Sequence, residues 1–202
     1  VQQRLPWACT EPGKPKGQGL RAVVLGAGPI GILGAMKFVV EGFDTYVYSR
    51  SKAPNPKAAL VEQIGAKYFS KYDMSPQELA EEVGNIDLVY EAIGGSEVAF
   101  DVLQVLGTNG IFVFTGIPAP ETRLEIDSDI LMRRIVLENL AIVGTVNADR
   151  QAFEDAIADL AEFKKRWPET IKGVISGRFS VDDHEELLVG KSQGIKNVIA
   201  FS

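Results

Sequence analysis

Apolar positions along this chain come in short blocks of two alternating kinds. "RAVVLG" (21–26) is a contiguous apolar run closed by glycine, the pattern of a buried strand. In "PIGILGAMKFVVEGF", Pro29 opens a helix that closes near Gly42. "TYVYS" is β-branched and aromatic, which predicts a second strand. "NPKAALVEQIGA" predicts a helix ending at Gly65, and "KYFS" a third strand. "SPQELAEEVG" has a capping box: Ser75 caps, Pro76 takes the first helical position and Glu78 reaches back. "IDLVYEA" predicts the fourth strand. In "SEVAFDVLQVL", Val98, Ala99, Val102, Leu103 and Leu106 fall on one helical face. "GIFVFTG" is the fifth strand, "SDILMRRIVLEN" a helix and "LAIVGTV" the sixth strand. "DRQAFEDAIADLAEFKKRW" then puts Phe153, Ala156, Ile157, Leu160 and Ala161 on one face, and Lys164, Lys165 and Arg166 at its negative end.

Strands alternating with helices predict right-handed βαβ units. The expected class is α/β: a doubly wound parallel sheet, a Rossmann fold, with helices on both faces. Residues 1–19 read as a helix end and a Pro/Gly/Lys-rich linker, "TEPGKPKGQG". Residues 20–170 read as the nucleotide-binding domain. Residues 171–202 depart from the alternation: "GRFSV", "DDHEELL" and "IKNVIAFS" predict a strand, a short helix and a strand outside the sheet.

Composition narrows the function. Of 202 residues, 46% are hydrophobic and 24% charged, enough for a sizeable core. A net charge of −6 argues against a nucleic-acid partner, which needs clustered positive surface. No apolar run approaches the roughly 20 residues of a membrane span. The start is not a signal peptide. The single cysteine, Cys9, has no internal partner, so a reducing cytoplasm is the expected compartment. "VQQRLPW" begins without methionine, and a piece of a longer protein is expected.

The glycines Gly26, Gly28 and Gly31 follow an apolar strand and open a helix, the context that gives GxGxxG its meaning. Gly26 permits the tight turn. Gly28 lets a pyrophosphate approach the backbone, and Gly31 lets the helix pack on the strand. The helix N-terminus then offers N–H groups to phosphate. The plain alternative is a strand-to-helix turn without ligand. An NAD site places Asp or Glu at the end of the second strand for the ribose 2′-OH. Here that end reads "SRSK", Ser49 to Lys52, and Asp44 lies at the strand's other end. Arg50 suits a 2′-phosphate and can stack on adenine, so NADP is expected; the alternative is that Arg50 and Lys52 are simply solvated. Ligands sit beyond the carboxyl ends of such strands: "EAIGG" (91–95), "FTGIP" (114–118) and "GTVN" (144–147). Asn147 also fits as an N-cap for the long helix that follows.

Hydride transfer needs a proton acceptor or a metal. His184 lies in "DDHEE" and reads as a solvated helix face. No zinc constellation, Ser/His/Asp arrangement or Tyr-x-x-x-Lys pair is legible. This chain is expected to hold a cofactor and to carry no catalytic or metal-ligating residue of its own.

The segments "VQQRLPW", "VVLGAGPIGIL", "VYSRSK", "IDLVYEAIGGS", "NGIFVFTGIP" and "NLAIVGTVNADRQAFEDAIADL" resemble the C-terminal part of glucose dehydrogenases, within the zinc-dependent medium-chain dehydrogenase/reductase superfamily. The resemblance runs over essentially the whole chain. It implies oxidation of the C1 hydroxyl of D-glucose, or a related aldose, to the lactone. NADP would take the hydride, with NAD tolerated. By the same resemblance, Ala27, Gly28, Pro29 and Ile30 hold the pyrophosphate, and Ser49, Arg50 and Ser51 the 2′-phosphate. Thr115 and Gly116 approach the nicotinamide, and Thr145, Val146 and Asn147 complete its pocket. Asn147 also reaches toward the sugar. Lys196 stands where related alcohol dehydrogenases place an arginine near the pyrophosphate. The catalytic zinc and most sugar contacts come from an N-terminal GroES-like domain, to which the closing strand–helix–strand would return. The resemblance also implies a homo-oligomer, a dimer or tetramer. The competing expectations are an NAD(P)-dependent redox-sensing module and a zinc-free quinone reductase.

Overall fold

The computed structural model describes residues 16–119, 123–189 and 194–201. The expected helix end and linker in residues 1–15, with Cys9, lie outside the described residues. The described residues form two compact units, divided between Asn147 and Ala148.

The first unit is an alternating α/β layer structure. Its strands are β1 (Arg21–Leu25), β2 (Asp44–Ser49), β3 (Lys67–Ser70), β4 (Leu88–Glu91), β5 (Ile111–Phe114) and β6 (Ala141–Gly144). Between them run α1 (Pro29–Val40), α2 (Pro56–Gln63), α3 (Pro76–Val83), α4 (Ser96–Leu103) and α5 (Ser128–Leu137). All pairings are parallel, in the order β3-β2-β1-β4-β5-β6. Parallel strands share one carboxyl end. The strand order reverses between β1 and β4, the switch point at which such sheets bind ligands.

Side chains alternate across the sheet, and both faces are covered, which is why the strands read as unbroken apolar runs. On one face Val23, Leu25, Tyr46, Tyr48, Val89 and Phe112 meet Leu79 and Val83 of α3 and Ala99, Val102 and Leu103 of α4. Four of the five expected apolar positions around α4 are thus buried, including Leu106; Val98 is partly buried. On the other face Ala22, Leu88, Ile111 and Val113 pack against Phe38 of α1 and Phe43. Each fully buried aliphatic side chain contributes about 1.5–3 kcal/mol, so the core lies under the central strands β1, β4 and β5. The Ser75–Glu78 capping box is present at α3.

The second unit holds α6 (Arg150–Arg166), α7 (Pro168–Val174), β7 (Ile175–Phe179), α8 (His184–Val189) and β8 (Lys196–Ile199). β7 and β8 pair in parallel as a separate two-stranded sheet, the expected strand–helix–strand. α7 is additional: Pro168, with its fixed φ, opens a new helix directly after α6. Phe163 of α6 is buried beside Trp167, whereas Phe153, Ile157 and Leu160 are exposed.

Candidate cofactor site

The glycine loop joins β1 to α1 at the switch point. Gly26 has φ of 101°, a conformation that a residue with a Cβ rarely adopts, and its N–H donates to the Tyr48 carbonyl at 2.8 Å. A Cβ at Gly31 would overlap the Gly26 carbonyl, so this glycine is required by close packing of helix on turn. Gly28 differs. It is the N-cap of α1 in extended backbone, and a Cβ there would meet no protein atom within 4 Å. The space outside Gly28 is therefore open to a ligand. No side chain caps α1, no acidic residue stands in its first turn, and Pro29 takes the first position. Ala27 is buried and Ile30 is 59% exposed. The first-turn N–H groups face outward with a partial positive charge, a ready anion site.

Beyond β2 and β3, backbone bonds fix the second part. Lys71 N–H donates to the Ser49 carbonyl at 2.8 Å, and the Tyr68 hydroxyl to the Ser51 carbonyl at 2.6 Å. Lys52 pairs with Asp73 at 2.6 Å. Among the described residues no carboxylate pairs with Arg50. A cavity of about 330 Å³ opens beside Arg50, bounded also by Lys71, Ile93, Gly95, Ser96 and Glu97. Lys71 was not expected from the sequence. It follows β3 directly, and β3 lies next to β2 in a parallel sheet, so the strand order carried the signal. Its field is felt nearby: burial and Glu97 raise the Asp101 carboxyl above its ordinary value, and Lys71 opposes them.

Beyond β4 and β5 two loops are fastened together. Glu91, fully buried at the end of β4, accepts from the N–H groups of Ile93 and Gly94 at 2.7 Å each and of Gly116 at 2.9 Å. The Thr115 hydroxyl donates to the Glu91 carbonyl at 2.7 Å. A second cavity of about 330 Å³ lies here, with Phe100 and Phe114 among its walls. Glu91 stood in the "EAIGG" stretch expected beside the ligand, but its joint with Gly116, 25 positions away, was not legible.

At β6 the Thr145 N–H donates to the Phe114 carbonyl at 3.0 Å, and Val146 and Asn147 are exposed. Asn147 does not cap the long helix. Asp149 does, accepting from the Ala152 N–H at 2.8 Å, which leaves the Asn147 amide outside the helix end. Lys196 is an exposed residue opening β8 of the second unit.

Among the described residues no group of three or more His, Cys, Asp or Glu is placed to hold a metal ion. His184 is exposed, its Nδ1 3.0 Å from the Val181 carbonyl.

The family of the glucose dehydrogenase C-terminus matches residues 15–201. The chain belongs to that family. Glucose 1-dehydrogenase of Methanocella arvoryzae is 30% identical over 98% of this chain and 53% of its own length. That of Haloarcula marismortui is 36% identical over 70% of this chain and 40% of its own. Among solved structures, Haloferax mediterranei glucose dehydrogenase in complex with NADP, zinc and gluconolactone matches with a TM-score of 0.80 and 26% identity, covering 100% of this chain and 56% of that one. The chain thus spans about half the length of the curated relatives it matches. An alcohol dehydrogenase of Thermotoga maritima, 21% identical with a TM-score of 0.76, shares the fold.

Proposed function

We propose that this chain is the NADP-binding part of a glucose 1-dehydrogenase, an enzyme that oxidises the C1 hydroxyl of D-glucose or a related aldose to the lactone. The observation that carries the cofactor choice is Arg50 beside the cavity beyond β2, where an NAD site keeps a carboxylate. NADP, when bound, supplies the hydride acceptor. Gly26, Ala27, Gly28, Pro29, Ile30 and Gly31 present α1's N-terminus to the pyrophosphate. Ser49, Arg50 and Ser51 take the 2′-phosphate. Thr115 and Gly116, with Thr145, Val146 and Asn147, form the nicotinamide side, and Asn147 reaches toward the sugar. Lys196 is assigned to the pyrophosphate by the family resemblance alone. Zinc and the proton acceptor come from residues outside this chain.

Assembly into a homo-oligomer belongs to the same reading. It is supported by β6, one of the sheet's two edge strands, with Ile142 42% exposed. A cytoplasmic setting is supported by the single cysteine; no described helix is long and apolar enough to cross a membrane.

The test is calorimetric titration with NADP and NAD. Wild type should bind NADP more tightly. Arg50→Glu replaces attraction by repulsion, a swing of a few kcal/mol, so NADP affinity should fall about a hundredfold with NAD little changed. Equal affinity of the wild-type chain for both cofactors would refute the reading of Arg50.

A further inference from the structure

We infer that Glu91 is a positioning residue for the nicotinamide half of the cofactor site, an assignment that rests on the cofactor reading above. Its carboxylate is fully buried, and no ion pair among the described residues engages it. A buried carboxylate is costly unless hydrogen bonds compensate it. Here three backbone N–H groups do so: Ile93 and Gly94 on Oε1, Gly116 on Oε2. An ionised carboxylate only accepts, so its two oxygens match two sets of donors. The residue's own carbonyl takes the Thr115 hydroxyl and, at 3.3 Å, the Thr115 N–H. One residue thereby fastens the loop beyond β4 to the loop beyond β5.

The joint has no slack. A Cβ at Gly116 would overlap the Gly94 nitrogen, and one at Gly94 would lie 2.9 Å from the Ile117 carbonyl. Thr115 and Gly116 are the residues assigned to the nicotinamide, so the carboxylate sets where their backbone stands. Glu91→Gln keeps an oxygen for Ile93 and Gly94 but turns an NH₂ toward the Gly116 N–H. Two donors then face each other, and the β5 loop loses its Gly116 bond while the Thr115 bonds to the Glu91 carbonyl remain.

The experiment titrates the full chain with NADP and with 2′,5′-ADP, which carries the adenosine 2′-phosphate half without nicotinamide. Loss of one charge-assisted bond should lower NADP affinity of Glu91→Gln about tenfold. Affinity for 2′,5′-ADP should stay within about twofold, and the emission of bound NADPH should shift toward that of the free form. Equal losses for both ligands would make Glu91 merely structural, and no loss for either would refute its role. Should Glu91→Gln fail to unfold cooperatively, Thr115→Val decides by the same comparison, since it removes one of the bonds that tie the β5 loop to Glu91 and leaves the carboxylate in place. A wild-type chain that binds neither ligand overturns the cofactor reading and the positioning role with it.

Discussion

Arg50 and Lys71 face one cavity from two adjacent strand ends, and their charges differ in setting. Arg50 has no carboxylate partner among the described residues. Lys71 feels Asp101, and Glu97 borders the same cavity, so part of its field is spent within the protein. At half-wet dielectric a second cation beside a phosphate contributes about 1 kcal/mol. Lys71→Ala should therefore lower NADP affinity about fivefold and leave NAD unchanged, as read by titration calorimetry. Arg50 was legible because the expected carboxylate was missing from its place in "SRSK". Lys71 was not, because a lysine after a strand is ordinary until its neighbouring strand is known.

Individual elements were readable wherever a local rule closes within a few residues. The α3 capping box is one such case: the Ser75 hydroxyl accepts from the Glu78 N–H, and the Glu78 carboxylate accepts from the Ser75 N–H at 2.7 Å. That backbone bond, then the Ser75 side chain, holds the Glu78 carboxyl below its ordinary 4.5. A depressed folded value means that the stabilisation is present above pH 4.5 and is lost as pH falls through the folded value. The margin in unfolding temperature between wild type and Glu78→Gln should thus be full at neutral pH and should shrink in acid; a constant margin from neutral pH to about pH 3 would contradict it. The cap of α6 shows the limit of such rules. Asn147 and Asp149 are both acceptable caps by type, and the choice falls to where the chain turns out of β6.

At the level of the molecule, the βαβ alternation was enough for the parallel sheet, because buried strands and amphipathic helices leave different periodicities. What it could not supply was lateral order, and with it the meeting of Glu91 with Gly116 and of Arg50 with Lys71. Lateral order also governs the electrostatics. The net charge of −6 repels an anionic cofactor at long range, so the proposed binding needs a local positive edge such as Arg50 and Lys71 offer. Salt contracts the range of such fields to about 10 Å at 0.1 M. Raising it from about 0.05 to about 0.5 M should weaken NADP more than NAD, since only NADP carries the extra phosphate. An equal response of the two would place the 2′-phosphate away from Arg50 and Lys71.

Because every strand of the sheet runs the same way, the phosphate cradle, the arginine-bearing loop and the Glu91 joint occupy three separate stretches of sequence that meet only in space. Heritable change can therefore reach one of these stretches while the other two keep their sequence. On the proposed assignment, a few substitutions between Ser49 and Lys52 should retune which dinucleotide is preferred, while the Gly26–Gly31 turn and the Glu91 joint keep their residues. Cofactor choice in this domain is an adjustable trait carried on a fixed chassis.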